Sequence, residues 1–163
     1  MVPDVGGLRI VLESLSGKRT SRVLDQVKAS QTFLLRLGQV NDRYAVWTRC
    51  TPWPKGWVVR YDRRTQKATV LPNPADKLQY AASVRSDGTV YLARSAPTCG
   101  VDVQILRVPL KGSWRVVHSL PPGMDLPSTY VDNGSASTEL YFDVGRCDGK
   151  RFGQSDIFRL VDP

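Results

Sequence analysis

Apolar and polar positions alternate along this chain in short runs, and the runs recur. Tyr44-Ala45-Val46-Trp47, Val90-Tyr91-Leu92-Ala93 and Leu140-Tyr141-Phe142-Asp143 are each followed by a polar loop holding one cysteine. A second apolar run then ends in arginine: Val58-Val59-Arg60, Ile105-Leu106-Arg107 and Ile157-Phe158-Arg159. Those arginines stand 47 and 52 residues apart. Runs this short, bounded by Gly, Pro, Asn and Asp, are strands rather than helices.

The middle unit is the clearest. Residues 80–85 predict a strand, and Ser86-Asp87-Gly88 a tight turn, because Asp-Gly readily adopts positive φ. Residues 89–94 predict the next strand, and 101–108 a third with Val101, Val103, Ile105 and Arg107 on one face. A turn at Leu110-Lys111-Gly112-Ser113 leads into a fourth strand, 114–120, closed by Pro121-Pro122-Gly123. The preceding unit follows the same plan, with strands at 32–39, 43–48, 57–61 and 67–71. Its cysteine loop, 49–56, carries Cys50 and Pro52-Trp53-Pro54. The last unit has strands near 128–132, at 139–144 and at 156–161, and 8–13 with 20–24 form an initial pair. No segment has convincing helical periodicity.

Four-stranded antiparallel meanders repeating every 40–50 residues or so are the signature of a β-propeller. The expectation is an all-β chain of four-stranded blades, about three and a quarter of them, in a single domain. Within it, 1–27 is a half blade, 28–75 and 76–124 are blades, and 125–163 is an incomplete blade. An open arc exposes strand edges, which a closed ring protects. The favoured expectation is a fragment of a longer propeller, since Met1 falls where the second half of a blade begins. Alternatives are a homodimer of two arcs completing one ring and a distorted small propeller.

Composition narrows the function classes. The hydrophobic share of 41% suffices for a core. No apolar run reaches the roughly 18 residues of a membrane span, and the first seven residues lack the basic-then-apolar order of a signal peptide. The net charge of +8 favours acidic partners. Its densest group is Arg60, Arg63, Arg64 and Lys67, around one predicted hairpin. No recognition helix or RNA-binding signature accompanies it, so a solvated basic surface is expected rather than a specific nucleic-acid site. One histidine, His118, in a predicted strand, argues against a histidine metal centre or a Ser-His-Asp triad. No G-x-S-x-G elbow or Gly-rich phosphate loop occurs. Asp132-Asn133-Gly134-Ser135 lacks the ligand spacing of an EF-hand and predicts an ordinary turn. Asp143 and Asp156 are the carboxylates that hydrolytic chemistry would draw on, against the alternative of hydrogen-bonded structural aspartates.

The segment Ser83-Val84-Arg85-Ser86-Asp87-Gly88-Thr89-Val90-Tyr91-Leu92-Ala93, followed by Val103-Gln104-Ile105-Leu106-Arg107-Val108, resembles the WD40-like repeat of TolB-type β-propellers. That repeat pairs a Ser-x-Asp-Gly turn and an apolar strand with an Asp-Ile-Tyr-like strand. Asp156-Ile157-Phe158-Arg159 resembles its second half. The resemblance runs through the whole chain, most strongly at 80–120 and 139–161. It implies a six-bladed, often exported, protein-interaction scaffold; no cofactor is expected. The expected function is a non-enzymatic interaction scaffold. The alternative is the remnant of a propeller hydrolase or glycan-processing enzyme with acidic residues at a central channel.

In such a scaffold the cysteine loops gather on one face. Cys99 and Cys147 fall on neighbouring blades and are the candidate disulfide, with Cys50 and Cys99 the other neighbouring pair. A bridge needs Cα atoms within about 7 Å, and the exported character of the resembled family favours one; the alternative is three reduced thiols. A three-thiolate metal site lacks a suitably spaced fourth ligand, so no metal is expected. The same loops carry Trp53, Arg146, Lys150, Arg151 and Phe152, a candidate rim for an acidic protein or peptide. Trp53 between two prolines could equally cap a blade.

Overall fold

The computed structural model describes residues 7–13, 20–27, 34–50, 55–131, 139–147 and 156–161. Among these the chain is all-β and contains no helix. The strands are β1 (Leu8–Glu13), β2 (Ser21–Val27), β3 (Leu34–Val40), β4 (Tyr44–Cys50), β5 (Gly56–Asp62), β6 (Lys67–Val70), β7 (Leu78–Val84), β8 (Val90–Ser95), β9 (Gln104–Val108), β10 (Arg115–Ser119), β11 (Met124–Val131), β12 (Glu139–Arg146) and β13 (Asp156–Val161). They pair antiparallel in chain order as a hairpin β1–β2, a meander β3–β6, a meander β7–β10 and a three-stranded meander β11–β13. One parallel bridge, Gly56 to Leu78, joins the two middle meanders into a curled eight-stranded sheet.

The turns form where local chemistry dictates. Asn41 Oδ1 accepts from the N–H groups of Arg43 and Tyr44, closing the β3–β4 turn. Asp87 Oδ1 accepts from Thr89 N, while Arg85 N donates to Thr89 O across the β7–β8 turn. β2 runs on to Val27, past its expected end at 24, and two strand starts differ from expectation by three residues or more. The strand expected at 101–108 begins at Gln104, because Asp102 turns into the left-handed region (φ 56) and leaves Val101 exposed. The strand expected near 128 begins at Met124 and pairs there with Arg146. Pro127 is accommodated because it falls in a bulge between Asp125 and Ser128, where no ladder donor is needed.

Period-2 alternation places β4 and β8 each between two apolar layers. Ala45 and Trp47 of β4 pack with Ile10, Leu12 and Leu24 of the hairpin. Tyr44 and Val46, on the other face, pack with Val90 and Leu92 of β8. Tyr91 and Ala93 point away from that layer into a third, shared with Leu126, Leu140 and Phe142. The hairpin and three meanders thus stack face against face, with an apolar layer at each junction. Each fully buried leucine or valine there contributes roughly 1.5–3 kcal/mol relative to exposure.

The first strands of the three meanders, β3, β7 and β11, run alongside one another. Gln39 spans β3 to β11, donating to Val131 O and accepting from Val131 N. Thr129 Oγ1 of β11 donates to Ala81 O of β7. Each of these strands carries one bulge: after Leu37, after Tyr80 and after Asp125. The repeat seen in the sequence is therefore also a repeat of backbone irregularity.

Candidate functional site at the cysteine-loop end

The three bulged strands line a crevice. Its middle, about 360 Å³, is bordered by Gly38, Gln39, Ala82 and Thr129. Arg36 and Thr48 border both this space and a larger cavity of about 450 Å³ at the end where β4 and β8 finish. Leu78, Tyr80, Ala96, Pro97, Asp125 and Leu126 wall that cavity, and Cys50 and Cys99 lie in its wall.

The bulges decide what meets there. Tyr80 and Asp125 each immediately precede the bulge of a neighbouring first strand, so they occupy equivalent places in two meanders. The Tyr80 hydroxyl donates to Asp125 Oδ1, which also accepts from Leu126 N. Burial, and then the Asp125 charge, push the Tyr80 phenol well up, so it stays a neutral donor. Asp125 Oδ2 faces Cys99 Sγ at 3.6 Å.

Cys99 and Cys147 form a disulfide with Cα atoms 6.0 Å apart, tying the β8–β9 loop to the end of β12. Cys50 is a free, buried thiol at the end of β4. Burial pushes this thiol up, away from the thiolate that nucleophilic or metal chemistry requires. Arg146 is exposed at the end of β12, on the same end of the molecule. Trp53, Lys150, Arg151 and Phe152 lie outside the described residues, as do residues 132–135.

Other sequence candidates are placed apart. Asp143 lies opposite Ile157 and Val144 opposite Asp156, so Asp143 and Asp156 project from opposite faces of the β12–β13 pair. Asp143 Oδ1 accepts from both N and Oγ of Ser128. His118 is exposed on β10, which ends the sheet, with its ring 5.7 Å from that of Phe142. The basic group around the β5–β6 hairpin is divided. Arg60 is buried and donates Nη1 to Gly88 O, bracing the two middle meanders. Burial lowers its proton affinity, and the Tyr44 and Asp62 charges only partly oppose this. Arg63 donates to Asn41 O and Asp42 O, while Arg64 and Lys67 remain exposed.

Sequence reasoning missed Arg36, Tyr80, Asp125 and Leu126. Aligning the first strands on one another would have set Tyr80 and Asp125 in equivalent places; the available signal was the repeat itself. No family model, curated protein or solved structure matches the chain.

Proposed function

We propose that this chain is a non-enzymatic interaction scaffold of the TolB-like propeller type, and that its cysteine-loop end holds an apolar segment of a partner protein. The observation carrying this reading is the cavity of about 450 Å³, walled by Leu78, Leu126, Ala96 and Pro97 at the mouth of the crevice. Binding sites are typically concave, largely apolar and furnished with few polar groups. The stacked meanders and the bulge repeated in each first strand support the blade reading. Arg36 on the cavity wall and Arg146 on the same end favour acidic residues flanking the apolar segment.

The test is a titration of isotope-labelled chain with peptides pairing an aromatic or leucine anchor with flanking Asp or Glu. Resonances of Ala96, Thr98 and Leu126 should move together, and Arg36→Glu should weaken the interaction at least tenfold. Thr98→Trp, which fills the cavity mouth, should abolish it. Peptide-induced shifts confined to other surfaces, or none across the panel, would remove this reading.

A further inference from the structure

The disulfide does not stand alone. Sγ of Cys99, Sγ of Cys147 and a carboxylate oxygen of Asp125 all lie within 4.8 Å of one another. We propose that reduction of the Cys99–Cys147 bridge turns this cluster into a site for a zinc-like divalent cation, held by two thiolates and Asp125 Oδ2. This inference is independent of the binding role proposed above.

Geometry carries it. With Zn–S near 2.3 Å and Zn–O near 2.1 Å, a tetrahedral ion holds its sulfur and oxygen ligands about 3.6 Å apart. Cys99 Sγ and Asp125 Oδ2 are already 3.6 Å apart. Two thiolates on one tetrahedral ion stand about 3.8 Å apart, a separation that side-chain rotation reaches across Cα atoms 6.0 Å apart. The carboxylate is also oriented in advance. Its Oδ1 is engaged by the Tyr80 hydroxyl and Leu126 N, which leaves Oδ2 directed at the sulfurs. Anchoring the second oxygen of a ligating carboxylate is the usual work of groups behind a metal ligand. Asp125 and Cys99 border the 450 Å³ cavity, so the fourth position is open to water or a small ligand.

The chemistry balances with an external two-electron reductant. A phosphine attacks one sulfur and breaks the S–S bond. Water then supplies one oxygen to phosphorus, giving the phosphine oxide, and two protons to the sulfurs. Cation binding displaces both thiol protons to solvent. In the cell, a dithiol would take the phosphine's role and leave as its own disulfide. Cys99 is exposed and therefore accessible to either reagent.

The test uses the full chain, reduced with tris(2-carboxyethyl)phosphine or left oxidised, and titrated with Co²⁺ as the spectroscopic stand-in for zinc. The reduced chain should bind one equivalent with tetrahedral ligand-field bands and thiolate-to-metal charge transfer, displaced by Zn²⁺. The oxidised chain should show neither. Cys99→Ser and Cys147→Ser should lose the charge-transfer band, Asp125→Asn should weaken binding at least tenfold, and Cys50→Ala should leave it intact. Absence of the band in reduced folded chain would overturn the proposal. So would a band that survives Cys99→Ser or requires Cys50. Far-UV circular dichroism covers the remaining case. If reduction unfolds the chain, Zn²⁺ must restore the β signature, and failure to do so also overturns it.

Discussion

Gly88 holds φ at +85°, and a Cβ there would lie 2.9 Å from the Tyr44 ring. Conformation and packing therefore demand glycine together, since the turn of one meander rests on the aromatic layer of its neighbour. Gly88→Ala should cost about 1–3 kcal/mol, read as a fall in the urea midpoint. Two aspartates set a pH dependence at the same scale. The Lys77 ammonium, 2.5 Å from Asp102 Oδ2, holds the Asp102 carboxyl below the usual range through its hydrogen bond and charge. Partial desolvation alone would push Asp62 up. Hydrogen bonds from Thr65 and Arg64 N–H and the Arg43 charge outweigh it and hold Asp62 low. Both folded values lie below the unfolded one, so their contribution is complete above the unfolded aspartate pKa of about 3.9 and is lost as pH falls through the folded values. Carboxyl titration by NMR should place both midpoints below that of a model aspartate. Asp102→Asn keeps a residue type tolerant of φ 56 and should shrink the acid-side loss.

At the scale of elements, the close approach of β3 to β7 depends on a missing side chain. A Cβ on Gly38 would lie 2.2 Å from Ala82 O. Backbone must move to admit it, so Gly38→Ala should destabilise by about 1–3 kcal/mol. It should also disturb the Gln39 to Val131 bonds that tie β3 to β11, seen as faster amide exchange at Val131. The bulges explain why the first strands can crowd in this way. Each one re-aims a strand around the crevice, and Ala81 takes a left-handed conformation (φ 48) within the bulge of β7. Position in the strand order therefore decides which side chains face the cavity, and Tyr80 meets Asp125 as a consequence.

Across the whole molecule, the disulfide joins points 48 residues apart. The chain-entropy relation gives such a closure about 4 kcal/mol at 25 °C. A Cys99→Ala, Cys147→Ala double variant should lose up to that amount in chemical denaturation. Among the described residues, both ends of the stack expose apolar side chains. On β13, Ile157 is 80% exposed, with Phe158 and Val161 also exposed, and Leu8, Val11 and Val23 are exposed on the hairpin. Among the described residues β13 pairs only with β12. Exposed apolar strand edges associate. Light scattering should therefore show a mass that rises with protein concentration, and Ile157→Lys should flatten that rise.

Strand content, turn positions and the order of the meanders were legible because each rests on near neighbours. Short apolar runs marked β1 and β13 at both limits, and Asp-Gly and Asn-Asp marked their turns. Pairing between units was not legible, because it depends on how twisted sheets stack over distances the local pattern does not encode. Arg60 looked like part of a basic surface and is instead a buried brace onto Gly88, since only the stack shows which face of β5 is covered. Tyr80 read as an ordinary strand residue and Asp125 stood ahead of the strand expected near 128, until the bulges brought them together over the disulfide. The candidate site is made by contacts between residues 26 to 48 positions apart, and such contacts exist only once the apolar layers have closed.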